Sequence, residues 1–307
     1  MGRVSVDLYP EQIGVPLAEV RTFSKSLGGS ATNVAVAAAR LGHRTAVITK
    51  VGDDGFGPYV RDALEGFGVD SRWVGTDPDL RTPIVFCEVY PPDDFPLLFY
   101  REPKAPDMNL VLDELDFDAI ATAPLFWMTG TGLSDEPSRT ATLGALEQRS
   151  TGITAFDLDY RPTLWKSQDE ATSVYNEALR HATVAVGNQE EVEVAVGTRD
   201  PLEASAALLD LGLDLAIVKR GPEGVLARTA EGVVEAPPIR VEILNGLGAG
   251  DAFGGAICHG LLSGWDPGRM IRYANAAGAI VASRLTCADD MPTREEVDDL
   301  LQRSANV

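Results

Sequence analysis

The 307-residue sequence contains few of the residues that build metal centres and disulfide frameworks, with only three cysteines and three histidines. These residues are Cys87, Cys258, Cys287, His43, His181 and His259. The cysteines form no Cys-x-x-Cys pair, which argues against a zinc knuckle or a disulfide framework and predicts a reducing compartment. The histidines share no ligand spacing, so a histidine metal site is an alternative that the sequence disfavours.

Positive charge is also scarce. There are 26 basic residues against 46 acidic ones, which gives a net charge of −20, and no run of Lys and Arg occurs. Such a chain repels nucleic acids and anionic membranes, so we expect neither as a partner. The acidity is typical of a soluble or salt-adapted surface, with an acidic binding face as the alternative. An anionic substrate would need locally placed cations.

Long hydrophobic runs are missing as well. No uninterrupted apolar stretch approaches the roughly 20 residues needed to cross a bilayer, and no charged-then-apolar leader opens the sequence. The apolar content of 45% and charged content of 23% are those of an ordinary globular protein. We therefore expect a cytoplasmic protein.

Short β-rich runs alternate with amphipathic stretches along the chain. The predicted strands are Thr45–Val51, Leu125–Thr129, Ile153–Asp157, Thr183–Val186 and Leu215–Lys219. The predicted helices are Ala31–Leu41, Phe56–Phe67, Pro137–Gln148, Leu202–Leu211 and Asp251–Leu262. This order is typical of an α/β fold in which helices cover a mostly parallel sheet. We expect a single domain over residues 1–307.

Two segments, about 9–26 and 82–101, interrupt this alternation. In the second, Pro-rich turns separate the β-rich runs Ile84–Tyr90 and Leu97–Tyr100. We expect a small β-sheet inserted into the α/β body, which could act as a lid that excludes water from a site. Decoration or a subunit contact is the alternative. Because an unpaired sheet edge tends to find a partner, we also expect a homodimer.

The clearest motif is the Gly-rich turn from Asn245 to Phe253, which contains Gly248-Ala249-Gly250-Asp251 and leads into a small-residue helix. Glycines allow backbone N–H groups to converge on an anion, and the helix adds its positive N-terminal end. The Asp251 carboxylate would lie beside that anion and could accept the proton of an attacking hydroxyl. An ordinary turn with Asp at a helix start is the alternative.

A second Gly-rich turn, Gly28-Gly29-Ser30-Ala31-Thr32-Asn33, precedes another small-residue helix. A close approach of backbone at the glycines, with Asn33 on the first helical turn, suits hydrogen bonding to a polyol. The sequence has neither a Gly-x-Gly-x-x-Gly fingerprint after its first strand nor a Gly-x-x-x-x-Gly-Lys-Ser/Thr P-loop.

Taken together, the two glycine motifs resemble the ribokinase-like family of carbohydrate kinases, also called the PfkB family, over essentially the whole chain. The matching positions are Gly28, Gly29, Asn33, Gly42, Gly52 and the run Gly248-Ala249-Gly250-Asp251. This resemblance implies a three-layer sandwich with a mostly parallel central sheet and a small β-sheet lid. It also implies a sugar kinase that uses ATP and Mg²⁺.

The resemblance further implies a role for individual residues. Asp251 would be the catalytic base, and the N–H groups of Gly248, Ala249 and Gly250 would hold the transferring phosphate. Asp7 would bind a sugar hydroxyl, with Gly28, Gly29 and Asn33 beside it. Asn188 and Glu191 would place the metal through water and phosphate.

The nucleotide would be bound by Asn188, by Lys219, Gly221 and Gly224, and by Asn275 near the adenine. Asn245-Gly246 stands where family members often carry Asp-Thr, a pair associated with monovalent-cation contacts. Activation by a monovalent cation is therefore doubtful for this chain.

Two arginines indicate the substrate class, because a planar guanidinium suits a carboxylate. Arg101 follows the second lid segment, and the run around Arg161 resembles the sugar-acid kinases of the family. The segments Arg3–Pro10, Phe23–Ser30 and Asn245–Phe253 together resemble the family's inositol-catabolism branch. This resemblance implies phosphorylation of the 6-hydroxyl of a deoxy-keto sugar acid. The alternatives are a 2-keto-3-deoxygluconate kinase, a fructokinase, and a non-catalytic sugar-binding sensor.

Overall fold

The computed structural model describes residues 1–304, with fourteen strands and ten α-helices in that range. The strands are β1 Ser5–Pro10, β2 Phe23–Gly28, β3 Thr45–Ala46, β4 Thr49–Gly52, β5 Val69–Asp70, β6 Val74–Asp77, β7 Ile84–Cys87, β8 Leu97–Tyr100, β9 Leu125–Thr129, β10 Ile153–Asp157, β11 Val184–Asn188, β12 Leu215–Lys219, β13 Val225–Thr229 and β14 Gly232–Ala236. The helices are α1 Ser30–Arg40, α2 Phe56–Gly66, α3 Phe117–Thr122, α4 Ser138–Glu147, α5 Gln168–Leu179, α6 Gln189–Val196, α7 Pro201–Asp210, α8 Ala249–Leu262, α9 Pro267–Ala282 and α10 Arg294–Ser304.

The main sheet has six strands in the order β14-β13-β12-β11-β10-β9, of which β9 to β12 are parallel. Its central strands are apolar on both faces because helices cover both sides. Val186 and Ile217 pack in one core with α1, α8 and α9, whereas Ala185 and Val218 pack in a second core with α4 to α7. The expected α/β sandwich of three layers is confirmed.

A separate four-stranded sheet has the order β2-β1-β7-β8 and forms the small lid sheet. Its β1–β2 and β7–β8 pairs are antiparallel, and β1 and β7 are parallel. The lid sheet begins at Ser5, earlier than the expected lid segment of about 9–26, and Asp7 lies within its first strand, β1.

Other boundaries also differ from expectation. The predicted strand Thr45–Val51 is divided into β3 and β4, and the strand predicted over Ile84–Tyr90 ends at Cys87. The end of a strand depends on which backbone groups form hydrogen bonds with a neighbouring strand. Local residue preference does not determine this pairing.

The two motif helices, α1 and α8, pack directly against each other. Gly255 allows this contact, because a Cβ atom there would lie 2.3 Å from the Cβ atom of Ala37. Each helix follows a glycine with positive φ, +97° at Gly29 and +81° at Gly248. The packing brings the N-terminal ends of α1 and α8 together, next to the lid sheet. No helix within residues 1–304 is long and apolar enough to span a bilayer.

Candidate active site

The two glycine motifs meet through one hydrogen bond. Asn33, on the first turn of α1, donates its side-chain amide to Asp251 Oδ2 on the first turn of α8, at 2.8 Å. These residues are 218 positions apart in the chain. A carboxylate held in this way keeps lone pairs that can accept further hydrogen bonds.

The surroundings of Asp251 make its carboxyl a stronger base than an exposed aspartate. Burial raises its pKa from 3.8 to about 6, while the hydrogen bond from Asn33 acts in the opposite direction. The negative charge of Asp159 raises the pKa further and the positive charge of Arg161 lowers it. A pKa near 6 leaves Asp251 ionised at neutral pH but able to take up a proton.

Asp7 lies on the lid side of the same site. Ser5 donates its hydroxyl to Asp7 Oδ1 at 2.6 Å. Burial raises the pKa of Asp7 to about 6, and the charge of Asp251 adds to this increase. A Cβ atom at Gly28 would lie 2.1 Å from Asp7 Oδ1, so only glycine fits beside this carboxylate. The structure thus brings together the predicted sugar-side residues Asp7, Gly28, Asn33 and Asp251.

The Gly-rich turn ahead of α8 is fixed by its neighbours. A Cβ atom at Gly248 would lie 2.4 Å from Cys287 Sγ, which excludes any larger residue there. The buried Asn245 accepts a hydrogen bond from the Leu247 N–H at 3.0 Å and donates to the Leu285 carbonyl at 2.7 Å. The turn therefore presents the N–H groups of the first turn of α8, a geometry that binds anions.

The lid reaches this turn. The ring of Phe95, in the loop between β7 and β8, lies where a Cβ atom on Gly246 would be only 2.9 Å from its Cε2 atom. The lid loop therefore packs against the backbone just before Gly248-Ala249-Gly250-Asp251.

Several predicted nucleotide-site residues lie at the carboxyl ends of β11 and β12. Asn188 caps α6, accepting from the Glu191 N–H at 2.9 Å, and Glu191 accepts from the Asn188 N–H at 2.6 Å. Lys219 Nζ lies 3.9 Å from Glu191 Oε2 and 3.8 Å from a Cβ atom built on Gly250. The Lys219 ammonium group therefore lies between the Glu191 carboxylate and the Gly-rich turn.

The other predicted nucleotide residues lie on turns and helices farther along the chain. Gly221 and Gly224 have φ angles of +56° and +86°, and a Cβ atom at Gly224 would lie 2.1 Å from the Ala236 carbonyl oxygen. Asn275, on α9, donates to the Pro237 carbonyl at 2.9 Å. The Asn275 amide thus fastens α9 to the segment that follows β14.

The residues at this site could hold Mg²⁺ through water molecules and phosphate groups rather than by direct coordination. No three His, Cys, Asp or Glu side chains in the described part of the chain are grouped closely enough to hold a metal ion by themselves. The capping bonds already occupy one oxygen each of Asn188 and Glu191. Mg²⁺ commonly keeps several water ligands and binds together with substrate phosphates, which suits this arrangement.

The sequence did not single out two buried aspartates at the carboxyl end of β10, Asp157 and Asp159. Asp157 accepts from the Ser30 hydroxyl at 3.3 Å, and burial among other carboxylates raises its pKa. Asp159 binds Arg3 at 2.9 Å and Arg161 at 3.0 Å. The signal that could have found them is two acidic residues at the carboxyl end of an apolar parallel strand, where ligand sites of α/β sheets occur.

The two predicted substrate arginines are held differently. Arg161 is about half exposed, pairs with Asp159, and is close enough to Asp251 to lower the pKa of that carboxyl. Arg101 is buried and forms an ion pair with Asp107, which also accepts the Val4 N–H at 2.9 Å. The structure places Arg161 at the site and anchors Arg101 beside the start of β1.

Comparison with known proteins identifies the class. Residues 1–294 match the family model of pfkB family carbohydrate kinases. A fructokinase from Xylella fastidiosa with bound ATP has a TM-score of 0.86 at 25% identity, covering 99% of this chain and 97% of its own. A structure described as a ribokinase II from E. coli, in complex with ATP and Mg²⁺, has a TM-score of 0.89 at 25% identity, covering 98% and 97%.

The chain therefore belongs to the PfkB family and is a phosphotransferase with an alcohol group as acceptor. Among curated proteins, it is 33% identical to the 5-dehydro-2-deoxygluconokinase of Clostridium perfringens over 99% of this chain and 92% of the relative. It is 32% identical to the enzyme of the same name from Bacillus subtilis over 98% of this chain and 94% of the relative.

Replacing Asp159 by Asn tests the charge balance of the site. The change leaves the buried Arg3 without its ionic partner, and we expect a loss of about 3–5 kcal/mol in the free energy of unfolding. Urea unfolding followed by circular dichroism measures this. The control is Asp70→Asn, whose partner Arg72 is exposed, and which should leave the midpoint nearly unchanged. Equal midpoints for the two variants would contradict the assignment.

Proposed function

We propose that this protein is an ATP-dependent sugar-acid kinase that phosphorylates the 6-hydroxyl of 5-dehydro-2-deoxy-D-gluconate in myo-inositol degradation. The observation that carries the proposal is the Asn33–Asp251 contact at 2.8 Å, with Arg161 beside it. The name shared by the curated relatives supports the choice of substrate.

In the proposed mechanism Asp251 accepts the proton of the 6-hydroxyl while that oxygen attacks the γ-phosphorus of ATP. The bond from the γ-phosphorus to the bridging oxygen breaks, and ADP leaves with the bonding electron pair. Asp7 and Asn33 orient the substrate hydroxyls, with Gly28 and Gly29 allowing close approach of the sugar. Such transfer depends mainly on positioning and on stabilising charge.

The charge that gathers on the γ-phosphoryl oxygens is stabilised by the N–H groups of Gly248, Ala249 and Gly250 at the start of α8. Lys219 adds a positive charge on the same side. Asn188 and Glu191 would hold Mg²⁺ through water and phosphate, and the ion would supply further charge neutralisation. The remaining nucleotide contacts are assigned to Gly221, Gly224 and Asn275.

The carboxylate of the sugar acid is assigned to Arg161 and Arg101. Arg161 has a half-exposed side chain with one Nη atom on Asp159, which leaves further N–H groups free to bind a ligand. The ion pair of Arg101 with Asp107 ties it to the start of the lid sheet. If the substrate proved neutral, the fructokinase alternative would take its place.

We also propose that two copies of the chain associate in the cytoplasm through the lid sheet. β8 is an edge strand whose side chains are all exposed, with Tyr100 at 60% and Leu98 at 47% exposure. An apolar edge strand is a usual site of strand pairing. Activation by a monovalent cation stays doubtful, because Asn245-Gly246 stands where family members often carry Asp-Thr.

Replacing Asp251 by Asn tests the base. We expect kcat to fall by about 10²–10⁴-fold, since the variant cannot accept a proton, while MgATP and sugar-acid binding stay within a few fold. Coupled ATP-consumption assays and calorimetric titration measure these quantities. The matched control is Asp298→Asn on α10, which should behave as the unmodified enzyme. Near-normal turnover of the Asp251 variant would remove that residue from the role of base.

A panel of sugars and sugar acids tests the substrate class. We expect turnover of the deoxy-keto sugar acid, and a KM about 10–100-fold higher in Arg161→Ala, because a charged hydrogen bond to the carboxylate is lost. The exposed Arg180 supplies the control, Arg180→Ala, with an unchanged KM. Preference for a neutral sugar, with no effect of Arg161→Ala, would favour a fructokinase. No ATP consumption with any compound would favour a sugar-binding sensor.

A further inference from the structure

Asp159 has a backbone conformation that no other non-glycine residue within residues 1–304 shares. Its φ angle is +33°, on the left-handed side that L-residues rarely adopt. Such a conformation costs free energy and persists only where the surrounding structure fixes it, and residues of this kind cluster at active sites and ligand clamps. Asp159 lies two residues beyond the end of β10 and is 3% exposed. Its backbone therefore points to a functional constraint.

Hydrogen bonds fix the backbone on both sides of Asp159. The Leu158 N–H donates to a carbonyl of β11 at 2.9 Å, and the Leu158 carbonyl accepts the buried hydroxyl of Tyr175 on α5. The Arg161 carbonyl accepts the Leu164 N–H at 2.9 Å. Contacts with β11, with α5 and with the turn that follows thus impose the strained conformation.

The Asp159 carboxylate connects two arginines, one on each oxygen. Oδ2 accepts from Arg3 Nη2 at 2.9 Å and from the Thr131 hydroxyl at 3.0 Å. Arg3 Nε in turn donates to Thr131 Oγ1 at 2.9 Å, which closes a buried triangle of side chains. Oδ1 pairs with Arg161 Nη2 at 3.0 Å. One oxygen is therefore anchored in the protein interior, and the other holds Arg161.

The two arginines differ in exposure. Arg3 is 6% exposed, whereas the side chain of Arg161 is 48% exposed. Although burial acts to raise it, the pKa of Asp159 is held below its usual value by the charges of Arg161 and Arg3, so the carboxylate stays ionised. An Asp159–Arg161 pair alone would be neutral. With Arg3 the group of three keeps one net positive charge, which a substrate carboxylate requires.

We propose that Asp159 and Arg3 are positioning residues for the sugar acid: Asp159 orients Arg161, and Arg3 offsets the charge of Asp159 so that Arg161 attracts a carboxylate. This role rests on the proposed function, in which Arg161 binds the carboxylate. A half-exposed arginine has many rotamers, and ordering it on binding costs conformational entropy. Pairing with an anchored carboxylate limits that freedom before the substrate arrives. The Arg161 donors that Asp159 does not engage remain for the substrate.

A double-mutant cycle tests whether Asp159 acts through Arg161. Asp159→Asn should raise the KM of the sugar acid about 3–10-fold, since Arg161 must then be ordered on binding, and should leave the KM of MgATP within a few fold. In the Arg161→Ala background the same change should have no further effect, because residues that act as one unit are non-additive. The control is Asp70→Asn, whose partner Arg72 is exposed, with both KM values unchanged.

Two outcomes of the cycle would overturn the proposal. One is an unchanged or lower KM of the sugar acid in Asp159→Asn, and the other is an equal effect of Asp159→Asn with and without Arg161. Because Asp159→Asn also lowers stability, circular dichroism at the assay temperature checks that it is folded. Thr131→Val is the second variant, since it removes one donor to Asp159 Oδ2 and keeps every charge. It should give a smaller increase in the same KM, again only when Arg161 is present.

The order of the Arg161 side chain tests the positioning role without any substrate. The NMR order parameter of the Arg161 Nε–H group, assigned by comparison with Arg161→Ala, should fall below about 0.6 in Asp159→Asn and stay higher in the unmodified protein and in Asp70→Asn. Equal order parameters in the three proteins would overturn the positioning role, whatever the substrate is. A KM of the sugar acid that Arg161→Ala does not change would instead refute the proposed substrate, and the positioning of a sugar acid with it.

Discussion

The contact between Asn33 and Asp251 is the constraint on which the site depends. It joins the first turn of α1 to the first turn of α8 at 2.8 Å, across 218 positions of sequence. The contact requires the two helices to pack closely at their glycine ends, and Gly255 permits this because only a hydrogen atom fits against Ala37. The contact thereby fixes the two glycine motifs relative to each other.

The site contains a cluster of buried carboxyl groups with a few cations among them. Asp7, Asp157, Asp159 and Asp251 place four carboxyl groups around the site, and a cluster of this kind raises carboxyl pKa values unless cations are interleaved. Arg161 and Lys219 lie among these carboxyl groups and lower the pKa values of their neighbours. Burial nevertheless raises the pKa values of Asp7 and Asp251 to about 6. The chain has a large excess of acidic residues, so these local cations offset part of the negative charge of the carboxyl cluster.

The sequence predicted the layers, the lid and the family, because hydrophobic periodicity and the glycine motifs are local signals. It did not predict that Asp157 and Asp159 belong to the site, since their importance comes from Arg3, more than 150 residues earlier, and from the carboxyl end of β10. It placed Arg101 and Arg161 on equal terms, yet Arg101 is anchored by Asp107. Such pairings form only on folding, and their partners are distant in sequence.

The central claim is that Asp251 is the base and that Asn33 tunes it. The most direct test is the pH dependence of kcat/KM for the unmodified enzyme and for Asn33→Ala. Because the base must be ionised, kcat/KM should be level above pH 7 and fall tenfold per pH unit below about 6. The hydrogen bond from Asn33 lowers the pKa of Asp251, so the midpoint should move to higher pH in Asn33→Ala. A profile level down to pH 5, or a midpoint unchanged by Asn33→Ala, would contradict the claim.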